Sequence, residues 1–296
     1  MSNGIALRQN SENSLKYLSA QRQMYSDLKF ISGLQFLFCI LASSILSILL
    51  LFISDYIIGT IINFIIAIVV VILNKLFDKF IEKQREIAAY IQQIFDLDVF
   101  KMKWIKEDFG KIKDISYNIS VKSNKYLKKH ENFNDLKNWY SIQYDELPLD
   151  IGVYYCQKEN VRWDSKLRQI LRVIYLILIV SISLIIVIYC IAKSKLVIDL
   201  MSIMIVFTPL FQYWLSKRNQ LLEDIKKIKS IIDWQLLTEN NIDKIEKVGI
   251  YSLQSLIFEH RKNCVLIYDF IYNIFKGKYQ NEASIHASYV KSKYDK

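Results

Sequence analysis

A long stretch with almost no charge limits what this chain can fold into. From Ile31 to Asn74 the sequence contains no lysine or arginine and a single acid, Asp55. Two apolar helices of about 20 residues each, joined by a tight turn, fit this length, and a helix of that length crosses the hydrocarbon core of a bilayer. We therefore predict a pair of membrane-spanning helices in this part of the chain.

Four membrane-spanning helices are predicted in all, arranged as two hairpins. The first hairpin comprises Leu34–Ile53 and Ile57–Leu73, and the second comprises Val173–Ile191 and Leu196–Leu215, the last interrupted by Asp199. A large soluble protein with buried helices is the alternative, but buried helices of soluble proteins usually keep one polar face. The hydrophobic content of 52% in 296 residues also favours a membrane protein.

Basic residues near the span ends predict the orientation, because lysine and arginine accumulate on the cytoplasmic side. The turn around Asp55 has no basic residue, and the second turn has only Lys193 and Lys195. The outer flanks of both hairpins are far more basic, with Arg22, Lys29, Lys75, Lys79, Lys83, Arg85, Arg162, Lys166, Arg168, Arg172, Lys217 and Arg218. Both termini and the central segment are therefore expected in the cytoplasm.

The predicted fold is mainly α-helical and divides into five parts. Residues 1–29 form a cytoplasmic amphipathic helix, and residues 30–75 form the first transmembrane hairpin. Residues 76–166 form a cytoplasmic helix followed by a small, aromatic-rich mixed subdomain, in which Gly110 and Gly152 act as breakers. The second hairpin covers residues 167–216, and residues 217–296 form C-terminal cytoplasmic helices.

The net charge of +10 raises the question of nucleic-acid binding. Much of the basic excess lies at the span ends, where anionic lipid head groups account for it more simply. We therefore expect the lipid bilayer as the partner and no direct DNA or RNA binding. The four cysteines have no CxxC spacing, so neither a disulfide framework nor a zinc site is predicted.

No catalytic or cofactor motif stands out. The histidines at 130, 260 and 286 lack the spacing of metal ligands. The sequence contains no GxGxxG, GxxxxGK[ST] or GxSxG motif. Asp96 and Asp98 in the stretch FDLDVF are better explained as a polar edge or helix cap than as a magnesium site. We expect a protein that is not an enzyme and binds no metal or cofactor.

Three residues in the predicted spans are candidates for a role in the membrane: Asn63, Asp199 and Pro209. A charge in hydrocarbon is costly, so an intramembrane acid is a functional hypothesis. Asp199 lies four residues after Lys195, however, so pairing at the interface competes with pore lining. Pro209 is expected to kink the fourth span.

Three polar stretches next to the predicted spans carry a family resemblance. They are RQNSENSLKYLSAQRQMYSDLK, IQQIFDLDVFKMKW and NWYSIQYDELPLDIGVYYCQKENVRWDSKLR. With the same four spans in the same order, the whole chain resembles the bacterial SMODS-associated four-transmembrane effectors of CBASS-type systems. The most specific residues are Asn138, Trp139, Tyr140, Leu147, Pro148, Leu149, Cys156, Gln157, Asn160, Trp163, Asp164, Leu167 and Arg168.

The resemblance implies a role in anti-phage defence. In such systems, infection triggers a cyclic oligonucleotide messenger, and the effector then damages the bacterial inner membrane. It implies a cyclic oligonucleotide as ligand and an inner-membrane location. Because four spans per chain are few for a wide pore, we also expect a homo-oligomer.

A cyclic oligonucleotide presents phosphates and flat bases, so its site should combine basic and aromatic side chains. Trp139, Tyr140, Arg162, Trp163 and Arg168 are the candidate ligand-binding residues, because they place this mixture beside the third span. The competing interpretation is a structural bracket that fastens the subdomain to the span, with Trp163 and Arg168 near the lipid surface.

A second function from a different class remains open. The apolar residues between Leu221 and Leu236 recur at steps of three and four, which suits a helical bundle or coiled coil. A non-conducting membrane scaffold that recruits a cytoplasmic partner through its helices is therefore the alternative to an effector. An intramembrane enzyme is the least favoured, because the predicted spans contain a single ionisable residue, Asp199.

Overall fold

Helices account for nearly all of the regular structure. The computed structural model describes residues 2–42, 45–46, 56–110, 114–194, 208–239 and 247–294. These ranges contain no β-strand, so the mainly helical fold class is confirmed for them. The mixed character predicted for the central subdomain is absent from its described part, where short 3-10 turns take the place of strands.

The helices are numbered in chain order. A π-helical segment, Phe36–Ala42, directly follows α2, and two 3-10 turns, Asn134–Leu136 and Ile142–Glu146, precede α6. The α-helices are α1 (Ile5–Gln9), α2 (Glu12–Gln35), α3 (Tyr56–Phe100), α4 (Lys106–Phe109), α5 (Ser116–His130), α6 (Leu149–Ala192), α7 (Thr208–Glu239), α8 (Lys247–Asn263) and α9 (Asp269–Tyr294).

Three helices are long and apolar enough to cross a membrane: Glu12–Ala42, Ile57–Phe100 and Leu149–Ala192. They contain residues 34–42 of the first predicted span and the whole of the second and third. The predicted fourth span begins in residues 195–207, which lie outside the described ranges together with Asp199. The side chains of Asn63 and Pro209 also lie outside the described part, so the three membrane candidates stay predictions.

The chain divides into two compact units. We call the first the polar unit; it comprises Met1–Leu28, Glu82–Arg168 and Asp224–Lys296. The second, the apolar unit, comprises Lys29–Ile81 and Gln169–Glu223. Helices α2, α3, α6 and α7 each contribute residues to both units.

The apolar unit exposes many large aliphatic and aromatic side chains. Ile57, Phe64, Ile185 and Ile191 are each more than half exposed. A soluble protein rarely shows such a continuous apolar surface, whereas lipid tails cover it without cost. Inside this unit the buried Gln35 amide nitrogen donates to Asp78 at 2.9 Å and to Asn74 at 3.2 Å, whereas its carbonyl oxygen has no hydrogen-bond partner in the described structure.

The polar unit has a conventional buried core. Ser11 accepts a hydrogen bond from the backbone of Ser14 and so caps α2. The start of α2 then buries Leu15 and Leu18 against the rest of the unit. The amphipathic pattern of the sequence predicted this face, because one apolar side of a helix needs a partner surface.

The sequence suggested that Gly152 interrupts the helical pattern, but this prediction is wrong. Gly152 lies inside the first turns of α6. A Cβ atom there would approach the Tyr144 carbonyl oxygen to 2.8 Å and the Asn3 side chain to 2.7 Å. Glycine is therefore required by close packing, and it lets the 3-10 turn Ile142–Glu146 lie directly against α6. Asn3 adds hydrogen bonds from its amide to the carbonyls of Tyr144 and Leu147.

Candidate functional site

A cleft in the polar unit lies between one face of α6 and one face of α9. The α6 side chains are spaced three and four residues apart, as expected for a single helical face. Those of α9 follow the same spacing, and Tyr144 closes the end at the 3-10 turn. The lining residues are Tyr144, Tyr155, Lys158, Glu159, Arg162, Trp163, Lys166, Tyr279, Glu282, Ala283 and His286.

The cleft is long and narrow. From Tyr155 to Lys166, α6 rises by about 16 Å. The cavity volume is about 40 Å³, which leaves room for a few water molecules. Sites for drug-sized ligands are about 300–1,000 Å³, so a nucleotide would bind only if side chains on the two helices moved apart.

Lys166 and Glu282 close one end of the cleft with an ion pair between α6 and α9. The Lys166 ammonium also lies 5.0 Å from the ring centre of Tyr279, a cation–π contact. Both charged side chains are about one-third exposed, at 34% and 37%. An ion pair this accessible contributes little net stability, so a competing anion can displace Glu282 at small cost.

Arg162 is the most available cation of the cleft. Its side chain is exposed, and among the described residues its guanidinium has neither a hydrogen-bond partner nor an ion pair. It lies one helical turn from Lys158 and one from Lys166 on the same face of α6. The three cations therefore form a row along which the phosphates of an anionic ligand can bind.

Glu159 is an acid within this row of cations. Its carboxylate accepts a hydrogen bond from the Ser141 hydroxyl at 2.8 Å. Burial raises the pKa of Glu159 to about 7, although the bonds from Ser141 act in the opposite direction. Glu159 is therefore partly protonated at neutral pH, unlike an ordinary surface glutamate.

Trp163 links the two walls of the cleft. Its ring stacks on Tyr272 of α9, with centroids 5.8 Å apart, and meets Tyr279 edge-on at the same distance. Its indole nitrogen is buried and has no hydrogen-bond partner in the described structure. Trp163 thus joins Arg162 in the cleft as the sequence suggested, but its ring is already packed within the protein.

Trp139 and Tyr140 lie outside the cleft. Tyr140 is buried, and its hydroxyl donates to Asp96 at 2.6 Å while accepting from Asn160 at 2.9 Å. Trp139 is half-buried and packs against the adjoining core. Their aromatic type suited a base-stacking role, but in this structure neither ring faces the cleft that holds Arg162.

Arg168 is also removed from the cleft, because its charge is fully used inside the protein. Its guanidinium donates to Asp164 at 2.7 and 3.0 Å, to Asp224 at 2.8 Å and to the Val265 carbonyl at 2.9 Å. The side chain is only 2% exposed. Burial alone would raise the pKa of Asp164, but Arg168 and His260 hold it well below its usual range.

A second buried network surrounds Asp96, which is completely inaccessible. Its carboxylate pairs with Arg261 at 2.5 Å and accepts from Tyr140 and from Gln254. Asp98 is exposed, so the two acids of FDLDVF occupy different environments. Asp96 is thus neither an edge nor a cap, and in the described part of the chain no cluster of three or more metal-ligating side chains occurs.

Sequence reasoning missed most of the cleft. Lys158, Glu159 and Lys166 belong to the same α6 face as Arg162, and helical spacing was the signal that could have found them. Nothing in the sequence pairs this face with Tyr279 and the rest of α9, because the two lining segments, 155–166 and 279–286, are more than a hundred residues apart.

Replacing Glu159 with glutamine is expected to stabilise the protein at high pH. The folded-state pKa near 7 lies above the ordinary value of 4.5, so the folded protein loses stability as pH rises between the two values. Glutamine stays neutral, so the free energy of unfolding of Glu159→Gln should exceed that of wild type by about 1–2 kcal/mol at pH 8. The difference should vanish near pH 5. Thermal unfolding of detergent-solubilised protein across this range measures it.

Glu282→Gln is the matched control, since its bond with Lys166 lowers the pKa of Glu282. That variant should show no gain at pH 8. Equal stability of wild type and Glu159→Gln at every pH would contradict the buried, proton-binding state of Glu159.

Comparison with known sequences agrees with this architecture. The family described as SMODS-associating 4TM effector domain matches residues 3–289, which is nearly the whole chain. No curated protein and no solved structure matches the chain. The match includes the apolar helices and both walls of the cleft. The chain therefore belongs to the SMODS-associating four-transmembrane effector family, and it is a membrane protein.

Proposed function

We propose that this protein is a bacterial anti-phage effector that binds a cyclic oligonucleotide in the α6–α9 cleft and then permeabilises the inner membrane. Family membership supports the effector role. The cleft supports the choice of ligand, because it combines three cations with an aromatic wall.

The observation that carries the proposal is the continuity of α6. This helix runs without interruption from Leu149 to Ala192, so it contains both the cleft residues 155–166 and the apolar segment 173–191. A ligand that moves the cleft end of a continuous helix also acts on its membrane end. Ligand binding can thus favour a different state of the membrane segment without any further relay.

The narrow cleft indicates how the ligand would act. A phosphate on Lys166 takes the place of the Glu282 carboxylate and so breaks the ion pair between α6 and α9. The released Glu282 is repelled by the same phosphate. The two helices then separate enough to admit the bases, and the energy for this step comes from phosphate contacts with Arg162 and Lys166.

The membrane step requires several copies. Four spans per chain, with the termini and the polar unit in the cytoplasm, are too few to surround a wide pore. We propose a homo-oligomer in which rearranged spans open a poorly selective path for ions. The exposed apolar side chains of the apolar unit supply surface for both lipid and neighbouring copies.

Liposome leakage tests the function directly. Reconstituted protein should release an ion or a small dye when a cyclic dinucleotide is added, and Arg162→Ala should need at least roughly tenfold more ligand. Lys128→Ala is the control, because Lys128 is an exposed cation on α5, away from the cleft. Sealed liposomes under saturating, independently measured ligand binding would refute the permeabilising role.

The alternative function, a non-conducting scaffold, relied on the apolar stripe from Leu221 to Leu236. In the polar unit, Ile228 of that stripe is 1% exposed within the chain's own core, and Ile232 packs against the same core. They are therefore occupied by intramolecular packing, which favours the effector over the scaffold. Recruitment of a cytoplasmic protein without leakage would reverse this preference.

A further inference from the structure

An unpaired carboxylate in a cationic cleft needs a chemical explanation. Glu159 lies one position from Lys158 and three from Arg162, yet it forms no ion pair within 4 Å among the described residues. Its contacts are with Ser141, through the hydroxyl at 2.8 Å and the backbone. A carboxylate has about four acceptor positions, so about two remain for a ligand.

The Glu159 carboxylate repels a phosphate, because both are negatively charged. It can accept hydrogen bonds from a base that carries donors. Guanine presents two adjacent donors on its Watson–Crick edge, the N1–H and the N2 amino group, and a carboxylate accepts both. Adenine places an acceptor beside its amino group, and uracil surrounds its single donor with two carbonyl oxygens, so both bases oppose a carboxylate. Of the common bases, guanine therefore matches Glu159 best.

We propose that the α6–α9 cleft selects a guanine-containing cyclic dinucleotide, with Glu159 accepting from the guanine Watson–Crick edge and Arg162 binding a neighbouring phosphate. This inference rests on the proposed function and names its ligand more closely. Glu159 and Arg162 are three positions apart on the same face of α6, about 4.5 Å along the helix axis. One nucleotide can therefore contact both side chains.

Ser141 prepares Glu159 for this role. The Ser141 hydroxyl bond orients the carboxylate, and Ser141 lies immediately before the 3-10 turn Ile142–Glu146. An oriented acceptor loses less conformational entropy on binding than a freely rotating one. A glutamine at position 159 keeps the size of the side chain and an oxygen that can accept from Ser141, so it alters the ligand preference without removing the local structure.

Binding to the full-length, detergent-purified protein tests the inference with cyclic diguanylate and cyclic diadenylate as probes. At pH 8, where most Glu159 side chains are ionised, wild type should bind cyclic diguanylate at least roughly tenfold more tightly than cyclic diadenylate. Glu159→Gln should lose or reverse this preference, because a glutamine amide pairs in a bidentate manner with adenine. Arg162→Ala should weaken both ligands by a similar factor, because a phosphate contact is independent of the base.

The outcomes separate this inference from the proposed function. If wild type binds both probes equally, or if Glu159→Gln keeps the wild-type preference, guanine selection is refuted while nucleotide sensing stands. If neither probe binds while another cyclic oligonucleotide releases dye from liposomes, only the guanine inference falls; if no cyclic oligonucleotide binds or releases dye, the nucleotide-sensing function falls as well. Tight, Glu159-dependent binding of cyclic diguanylate supports both.

Discussion

Replacing Arg168 with alanine is expected to destabilise the polar unit by about 3–5 kcal/mol. The substitution leaves Asp164 and Asp224 without their shared cation, and it removes the hydrogen bond to the Val265 carbonyl. Asp164 keeps its contact with His260, and Asp224 keeps the bond from the Val265 backbone N–H, but both lose the arginine that balances their charge, and an uncompensated charge inside a protein is costly. The expected result is a large fall in the thermal midpoint in detergent, together with poor yield.

Arg162→Ala provides the comparison, since it removes the same side chain six residues earlier from an exposed position. That variant should unfold at nearly the wild-type temperature. If Arg168→Ala instead keeps its thermal midpoint and loses only nucleotide affinity, Arg168 is a ligand-binding residue and the structural role given to its network is wrong.

Asp96→Ala is expected to lower the free energy of unfolding by a similar amount, about 3–5 kcal/mol. The change leaves the buried Arg261 guanidinium without its carboxylate, and it deprives Tyr140 and Gln254 of their acceptor. Burial raises the pKa of Tyr140 well above its usual value, and the negative charge of Asp96 raises it further. The phenol therefore stays a neutral donor in the native protein. Thermal unfolding and protease resistance of the polar unit are suitable measurements.

Asp98→Ala is the matched control on the same helix, because Asp98 is exposed. It should change the thermal midpoint little. Equal effects of the two alanine variants would show that burial of Asp96 is not what makes its network important.

The membrane part of the fold follows closely from composition. Charge-free runs between Ile31 and Asn74 and between Val173 and Ile191 have only one favourable environment, since every exposed backbone group in lipid must be satisfied within a helix. Helical periodicity also predicted the amphipathic start of α2. These inferences depend on local patterns, which a single sequence displays in full.

The candidate site was only half predictable. The basic and aromatic residues before the third span made both Arg162 and Arg168 candidates for ligand binding. The two residues have the same side chain, and the sequence offers no feature that separates them. Their roles differ because six residues along α6 rotate a side chain from the exposed face to the buried one, where Asp224 and Val265 surround it. Those partners come from distant segments, so no local pattern could distinguish the two arginines.

By itself, the sequence determined that this chain is helical and belongs in a membrane, because hydrophobic length and charge spacing act locally along each helix. The tertiary structure decided which charges are free. It buried Asp96 and Arg168 in satisfied networks, and it placed α9 against α6 so that Glu159 and Arg162 line one cleft. Burial and pairing depend on which distant helices meet, and that choice is made by the packing of the whole polar unit.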